Sequence, residues 1–88
     1  MERTDKALVR AFAEVLRRRR RAGGMTQETL AELADVSVRT ISFLENSQRQ
    51  PTLTIIAALS RGLGISMSEF TADIEATRLQ PAEDLAGQ

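Results

Sequence analysis

The sequence predicts an all-α domain of five helices, and three observations predict it. Apolar residues recur at intervals of three and four along most of the chain. Hydroxyl residues stand where helices would begin, at Thr26, Ser37, Thr52 and Ser66, and glycines stand where they would stop, at Gly23, Gly24 and Gly64. Between the second and third patterns only Asp35 and Val36 remain for a connection. That is too short for a relaxed loop, so those two helices must cross steeply as a helix-turn-helix.

Helix 1 is expected over Asp5 to Ala22, with Leu8, Val9, Phe12, Val15 and Leu16 as its apolar stripe. Arg17 to Arg21 follow as five consecutive arginines. The plain reading is a mostly solvated helix end, because cations sit well near a helix C-terminus. Five in a row point all round the helix, however, and cannot share one role. Helix 2 begins behind Thr26, with Leu30, Leu33 and Ala34 at helical spacing and a small Ala31 that lets a crossing helix approach. Ser37 caps helix 3, Ile41 and Leu44 face inward, and Val36 packs beneath the turn.

A polar loop, Ser47 to Pro51, leads to helix 4 behind Thr52, whose stripe is Ile55, Ile56, Leu59 and Leu63 and whose stop is Gly64. Ser66-Met67-Ser68-Glu69 reads as a capping box, with Ile65 and Phe70 as its hydrophobic staple. Helix 5 should run through Ile74 towards Leu79 and end by Pro81. Residues 1–80 thus form one domain, and residues 81–88 (PAEDLAGQ) a frayed acidic tail.

Composition narrows the function classes. With 88 residues and 42% hydrophobic content the chain suits one small domain, near the low end for an independent core, and pairing with a second copy would help it. Cys is absent, which excludes disulfides and thiolate metal sites, and His is absent, which removes the commonest general base and metal ligand. No enzyme, metal or cofactor is therefore expected. No apolar run approaches the ~18 residues that span a bilayer, and a charged N-terminus interrupted by Glu14 is no signal peptide, so a soluble cytoplasmic protein without a membrane partner is expected. Net charge is zero but unevenly spread: residues 1–50 carry ten Lys and Arg against seven acids, a net +3, and residues 51–88 carry two against five, a net −3. A basic end of this kind can face phosphates.

Once Ile41 and Leu44 point inward, Val38, Arg39, Ser42, Phe43 and Asn46 are left outside as a convex ridge. An α-helix of that width fits the major groove of B-DNA. Arg39 is the first candidate for base readout, since a guanidinium can bind guanine O6 and N7 together; a phosphate contact is its alternative. Val38 can only touch a thymine methyl or exclude water, while Thr40 and Ser42 can reach backbone or base edges. Phe43 has two readings, packing on thymine methyls or folding back over Leu30 towards the core, and the sequence does not choose between them.

The run GMTQETLAELADVSVRTISFLEN, followed by RQPTLTIIAALSRGLGISMSEF, resembles the lambda-repressor-like helix-turn-helix family of the Cro/C1 or XRE type, over roughly Phe12 to Phe70. In size the chain is most similar to restriction-modification controller proteins and small phage-type repressors. The resemblance implies a five-helix DNA-binding domain with the helix-turn-helix in helices 2 and 3. It implies a sequence-specific transcriptional regulator that binds double-stranded DNA as a homodimer on a two-fold symmetric operator. It implies an ion pair between Arg20 and Glu45 that ties helix 1 to helix 3, and DNA-backbone contacts from Gln27, Asn46 and Arg49, with a plain surface Gln and a solvated loop charge as the other readings of Gln27 and Arg49; Thr26 and Thr40 are grouped with them as backbone contacts. Arg19 stands where relatives carry an apolar residue. Met67, Phe70 and Ile74 share a face that the resemblance makes a dimer contact; closing the monomer core is their other reading. A competing reading is an antitoxin-type module whose acidic C-terminal segment covers a protein partner, motivated by the −3 half of the chain.

Overall fold

The computed structural model describes residues 4–80 and holds five helices there: α1 Lys6–Ala22, α2 Gln27–Ala34, α3 Val38–Glu45, α4 Leu53–Leu63 and α5 Met67–Arg78. The expected tail, 81–88, lies outside the described residues. Every helix begins on a side-chain oxygen. Asp5, Thr26, Ser37, Thr52 and Ser66 accept the N–H of Leu8, Thr29, Thr40, Ile55 and Glu69 at 2.9–3.1 Å. Each such cap is worth about 1 kcal/mol, so short helices such as α2 and α3 are closed at their starts. Gly64 ends α4 in the left-handed conformation, φ 75°, as expected of a glycine stop. Among the described residues no helix is long and apolar enough to cross a membrane.

The helices pack in a fixed scheme. α1 lies against α5, α2 lies on α4 and crosses α3, and α1 closes on α3. Val15, Leu16, Leu30, Ile41, Leu59 and Phe70 are fully enclosed at the centre. Phe12 of α1 meets Phe70 of α5 with ring centroids 5.9 Å apart and the planes tilted by 48°. Two stripe expectations fail. Leu33 is 53% exposed, because the inward face of α2 is Leu30, Ala31 and Ala34 and position 33 sits about 100° round the helix from its middle. Leu8, in the first turn of α1, is exposed at the mouth of a groove shared with Pro51 and Thr71.

The face expected to meet a second copy is also largely consumed. Phe70 is 0% and Ile74 5% exposed within the single chain, since the i, i+4 face they share is the one α5 turns to α1. Of the three expected dimer residues only Met67, at 36%, is open.

Arginines stitch α1 to α5. Arg18 donates to Asp73 at 2.7 Å, and Arg19 donates to Asp73 and to Glu69 at 3.0 Å each. Arg17 and Arg20 bond to Glu45, so four of the five consecutive arginines have partners and only Arg21 fits a solvated helix end. Arg19 thus replaces apolar packing by two carboxylates of α5. The capping box at α5 is correspondingly half made: Ser66 takes the Glu69 N–H, but the Glu69 carboxylate is engaged by Arg19, a charge-assisted partner. Burial pushes the Asp73 carboxyl up, but the Arg19 hydrogen bond and the Arg18 charge outweigh it and hold it below the usual range.

Gly62 marks the tightest crossing. A Cβ built there would stand 3.1 Å from Leu30 Cδ1 and 3.2 Å from both Ala34 Cβ and Ala34 N, so α2 approaches α4 through the missing side chain. Helix propensity favours alanine by about 1 kcal/mol, while overpacking against backbone costs about 1–3 kcal/mol. Gly62→Ala is therefore expected to lower stability by about 1 kcal/mol in urea unfolding; a stabilised variant would show that the crossing is slack. A depressed Asp73 contributes stability that is complete above the unfolded carboxyl value of about 3.9 and is lost as pH falls through the folded value. Below about pH 4 the wild type should lose stability more steeply than Asp73→Asn. Parallel urea midpoints between pH 7 and pH 2 would contradict this.

Candidate nucleic-acid interface

The interface is built outward from Glu45, the last residue of α3. Its carboxylate is 3% exposed and accepts from Arg20 Nε at 2.6 Å, from Arg20 Nη2 at 3.1 Å and from Gln27 Nε2 at 3.0 Å. Its backbone carbonyl, an orphan of the helix end, accepts from Arg17 Nη1 at 2.7 Å. Arg20 also donates from Nη1 to the Met25 carbonyl at 2.7 Å, which pins the α1–α2 connection. Hydrogen bonding to Glu45 raises the Arg20 guanidinium above its ordinary value, against burial, which lowers it. No buried side-chain nitrogen or oxygen among the described residues lacks a partner. The expected Arg20–Glu45 pair is present, with Gln27 as its brace and Arg17 as an unexpected fourth participant.

α3 itself turns Ile41 and Leu44 inward at 0% and 2% exposure. Val38 is 40% exposed, Arg39 is exposed, and Thr40, Ser42 and Phe43 are half-buried along the outer side. Several hydroxyls are already committed locally. Thr40 and Ser37 share a hydrogen bond at 2.8 Å, and Thr26 shares one with Thr29 at 2.9 Å while capping α2. Gln27 keeps one amide N–H beyond its bond to Glu45. Asn46, exposed, donates from Nδ2 to the Ser42 carbonyl at 2.9 Å and retains its Oδ1 as an acceptor.

Phe43 does not fold back into the core beside Leu30. Its ring lies under two guanidinium groups, with Arg49 Cζ 4.5 Å and Arg39 Cζ 5.2 Å from the centroid. The Arg39 contact spans four residues on one helix face, a spacing that could have revealed it, although neither reading of Phe43 included it. The Arg49 contact carried no such signal, because it depends on how the chain turns after α3. Ser47 adopts a left-handed conformation, φ 59°, and Gln48 N–H returns to the Phe43 carbonyl at 2.9 Å. That reversal brings Arg49 back over the ridge. Among the described residues neither Arg39 nor Arg49 has a carboxylate within ion-pair distance, in contrast to Arg18, Arg19, Arg20 and Arg78. No group of three or more acidic residues there is placed to hold a metal ion.

Removing one partner of a buried, hydrogen-bonded charge pair leaves the other uncompensated, at a cost of about 3–5 kcal/mol. Glu45→Ala is expected to lose that much in chemical denaturation. Replacing both Arg20 and Glu45 by apolar residues of similar volume should cost less than either single change. Additive losses in that double variant would show that the pair is not the isolated buried unit described.

Comparison with known proteins agrees with this geometry. A helix-turn-helix family model (HTH_3) matches residues 16–70. The HTH-type transcriptional regulator PrpR of Mycobacterium tuberculosis is 33% identical over 70 residues, which are 80% of this chain but only 14% of that much longer protein. Control protein C.MunI from a Mycoplasma species is 37% identical over 51 residues, 58% of this chain and 69% of its own. Among solved structures, the restriction-modification controller protein C.Esp1396I, as a tetramer in complex with its natural 35 base-pair operator, superposes with a TM-score of 0.78 at 27% identity, covering 83% of this chain and 96% of that one. Five helices in this order, a tight α2–α3 turn and a match over most of its length place the chain in one family: it belongs to the helix-turn-helix proteins of the lambda-repressor-like, XRE type.

Proposed function

We propose that the protein is a DNA-binding transcription regulator that lays α3 in the major groove and acts as a pair of copies on a two-fold symmetric site. The observation that carries this is the outward ridge of α3, held by the buried Glu45 hub and flanked by two arginines without acidic partners among the described residues. C.Esp1396I, which shares the fold, is a tetramer on its operator. Arg39 is assigned to a guanine edge, Val38 to a thymine methyl, and Ser42 to a base edge beside them. Gln27, Thr26, Thr40, Asn46 and Arg49 are assigned to the phosphate backbone, which sets register and affinity without reading sequence. Two copies would place their α3 helices in successive major grooves about 34–36 Å apart. Of the three expected pairing residues, Met67 is the one left exposed to contribute to it. Regulation follows from where the site lies relative to a promoter, so no catalytic step is needed, and the protein acts with the DNA in the cytoplasm.

The protein-interaction reading has less support. Glu69 and Asp73, two of the five acids in residues 51–88, are engaged by Arg18 and Arg19. The acidic half is therefore partly neutralised within the fold rather than displayed to a partner.

Selection of bound duplexes from a random pool should recover an inverted repeat. On that site Arg39→Ala is expected to cost about 1–3 kcal/mol and relax one base position. Arg49→Ala should weaken all sequences alike and reduce the slope of log K against log salt by about 1. An unchanged base preference in Arg39→Ala would defeat the readout assignment, and failure to enrich any duplex would defeat the function.

A further inference from the structure

We propose that Phe43 is a positioning residue whose ring presets Arg39 and Arg49 for DNA; this deepens the reading above and rests on it. The two arginines come from different elements, one from the first turn of α3 and one from the loop beyond it, ten residues later. A single half-buried ring nevertheless lies under both guanidinium groups, at 5.2 Å and 4.5 Å. A half-exposed phenylalanine on a polar ridge would otherwise be an unfavourable choice. It is not part of the buried core cluster, so core packing does not explain it.

The chemistry of stacking explains why this arrangement suits recognition. A guanidinium meets an aromatic ring with its face and forms hydrogen bonds with its edge, so a stacked arginine keeps its N–H donors available. A free arginine side chain loses substantial rotamer freedom when it is immobilised on a ligand. The Phe43 ring removes much of that loss beforehand, for a base-directed and a phosphate-directed cation at once. It also holds two like charges near each other, which their own repulsion opposes and which an incoming phosphate relieves. The electron-rich ring face offsets part of that repulsion in the free protein.

The turn after α3 is part of the device. Ser47 is left-handed, and the Gln48 N–H bonds the carbonyl of Phe43 itself, so the residue that carries the ring also fixes the loop that returns Arg49. Phe43 therefore acts through the two arginines rather than by touching a base. In this account a thymine methyl under the ring is not required.

The test compares Phe43→Leu with Phe43→Tyr in the full chain, with and without the selected duplex. Leucine keeps apolar bulk without a π face; tyrosine keeps the face. In the free protein, ring-current shifts of the Arg39 and Arg49 side-chain protons by NMR should be present in wild type and Phe43→Tyr and absent in Phe43→Leu. On the duplex, Phe43→Leu should weaken binding about five- to thirtyfold, the scale of two stacked cations, with Phe43→Tyr within about threefold of wild type. Arg49→Ala should cost at least about threefold less in the Phe43→Leu background than in wild type. Thermal midpoints should separate these effects from unfolding. Leucine binding as wild type does, or strictly additive Phe43→Leu and Arg49→Ala losses, would overturn the proposal. Loss of preference at one thymine with additivity would instead make Phe43 a direct reader and overturn it too. If the ring-current shifts are present but no duplex is bound by wild type, the regulatory reading fails and takes this role with it, while the stack itself stands.

Discussion

A carboxylate buried to 3% exposure among three helix ends sets the geometry of everything outside it. Arg20 reaches Glu45 from the last turn of α1, Gln27 from the first turn of α2, and Glu45 itself closes α3. Desolvating two charges is costly, and well-packed apolar residues would often be as stable, so stability alone does not account for the arrangement. Its effect is directional. Apolar contacts made by Ile41 and Leu44 tolerate a slight rotation of α3, because dispersion and burial have little angular preference. A two-point guanidinium–carboxylate bond with a third donor tolerates much less. The rotation of α3 about its axis decides whether Val38, Arg39 and Ser42 point outward, so the hub converts a packed bundle into a ridge with a defined set of side chains.

The same logic resolves the zero net charge. A balance of 12 cations and 12 anions argues against nucleic acid if the charges are taken as a pool. In the fold many are paired internally: Arg18 and Arg19 with Asp73 and Glu69, Arg20 with Glu45, and Arg78 with Asp5. Apart from the buried Arg20–Glu45 pair, these exposed pairs add little each, about 0–1 kcal/mol, yet they cover acids near the arginine run. Among the described residues, Arg39 and Arg49 flank α3 without a carboxylate within ion-pair distance, against one unpaired acid, Asp35, in the turn before it. Local potential at a ridge depends on such unpaired groups within a Debye length more than on the total.

Much of the fold was legible because its signals are local. Caps act over three residues and helical stripes over four, so the starts of α2 to α5, the stop at Gly64 and the inward faces of Ile41 and Leu44 could be read directly. The Arg20–Glu45 pair lies 25 residues apart and came only through family resemblance. Pairings with no such guide were missed. Arg19 bonds a residue 54 positions away, and for Phe70 and Ile74 the pattern left a dimer contact and the monomer core both open, because it does not reveal which neighbour α5 lies on. Gly62 carried no signal because a glycine inside a helix can mean crowding, flexibility or nothing until the crossing helix is known.

The ends of α3 show where local rules reach their limit and function begins. Four helices, α1 to α4, stop in the same way: a left-handed residue is followed by an N–H that reaches back to a carbonyl five positions earlier, at 2.9–3.1 Å. After α1 and α4 that residue is glycine, Gly24 and Gly64, which adopts the conformation without side-chain strain. After α2 and α3 it is Asp35 and Ser47, for which the left-handed region costs about 1–2 kcal/mol. The two strained stops are therefore the ones that bracket the outward ridge of α3. Asp35 turns the chain from α2 into α3, and Ser47 folds it back so that Arg49 lies over Phe43. Non-glycine residues there restrict the unfolded chain more than glycine would, which offsets part of their strain. Left-handed non-glycine residues at both ends of one helix, the two that occur among the described residues, fit a segment whose entry and exit directions matter more than its own stability.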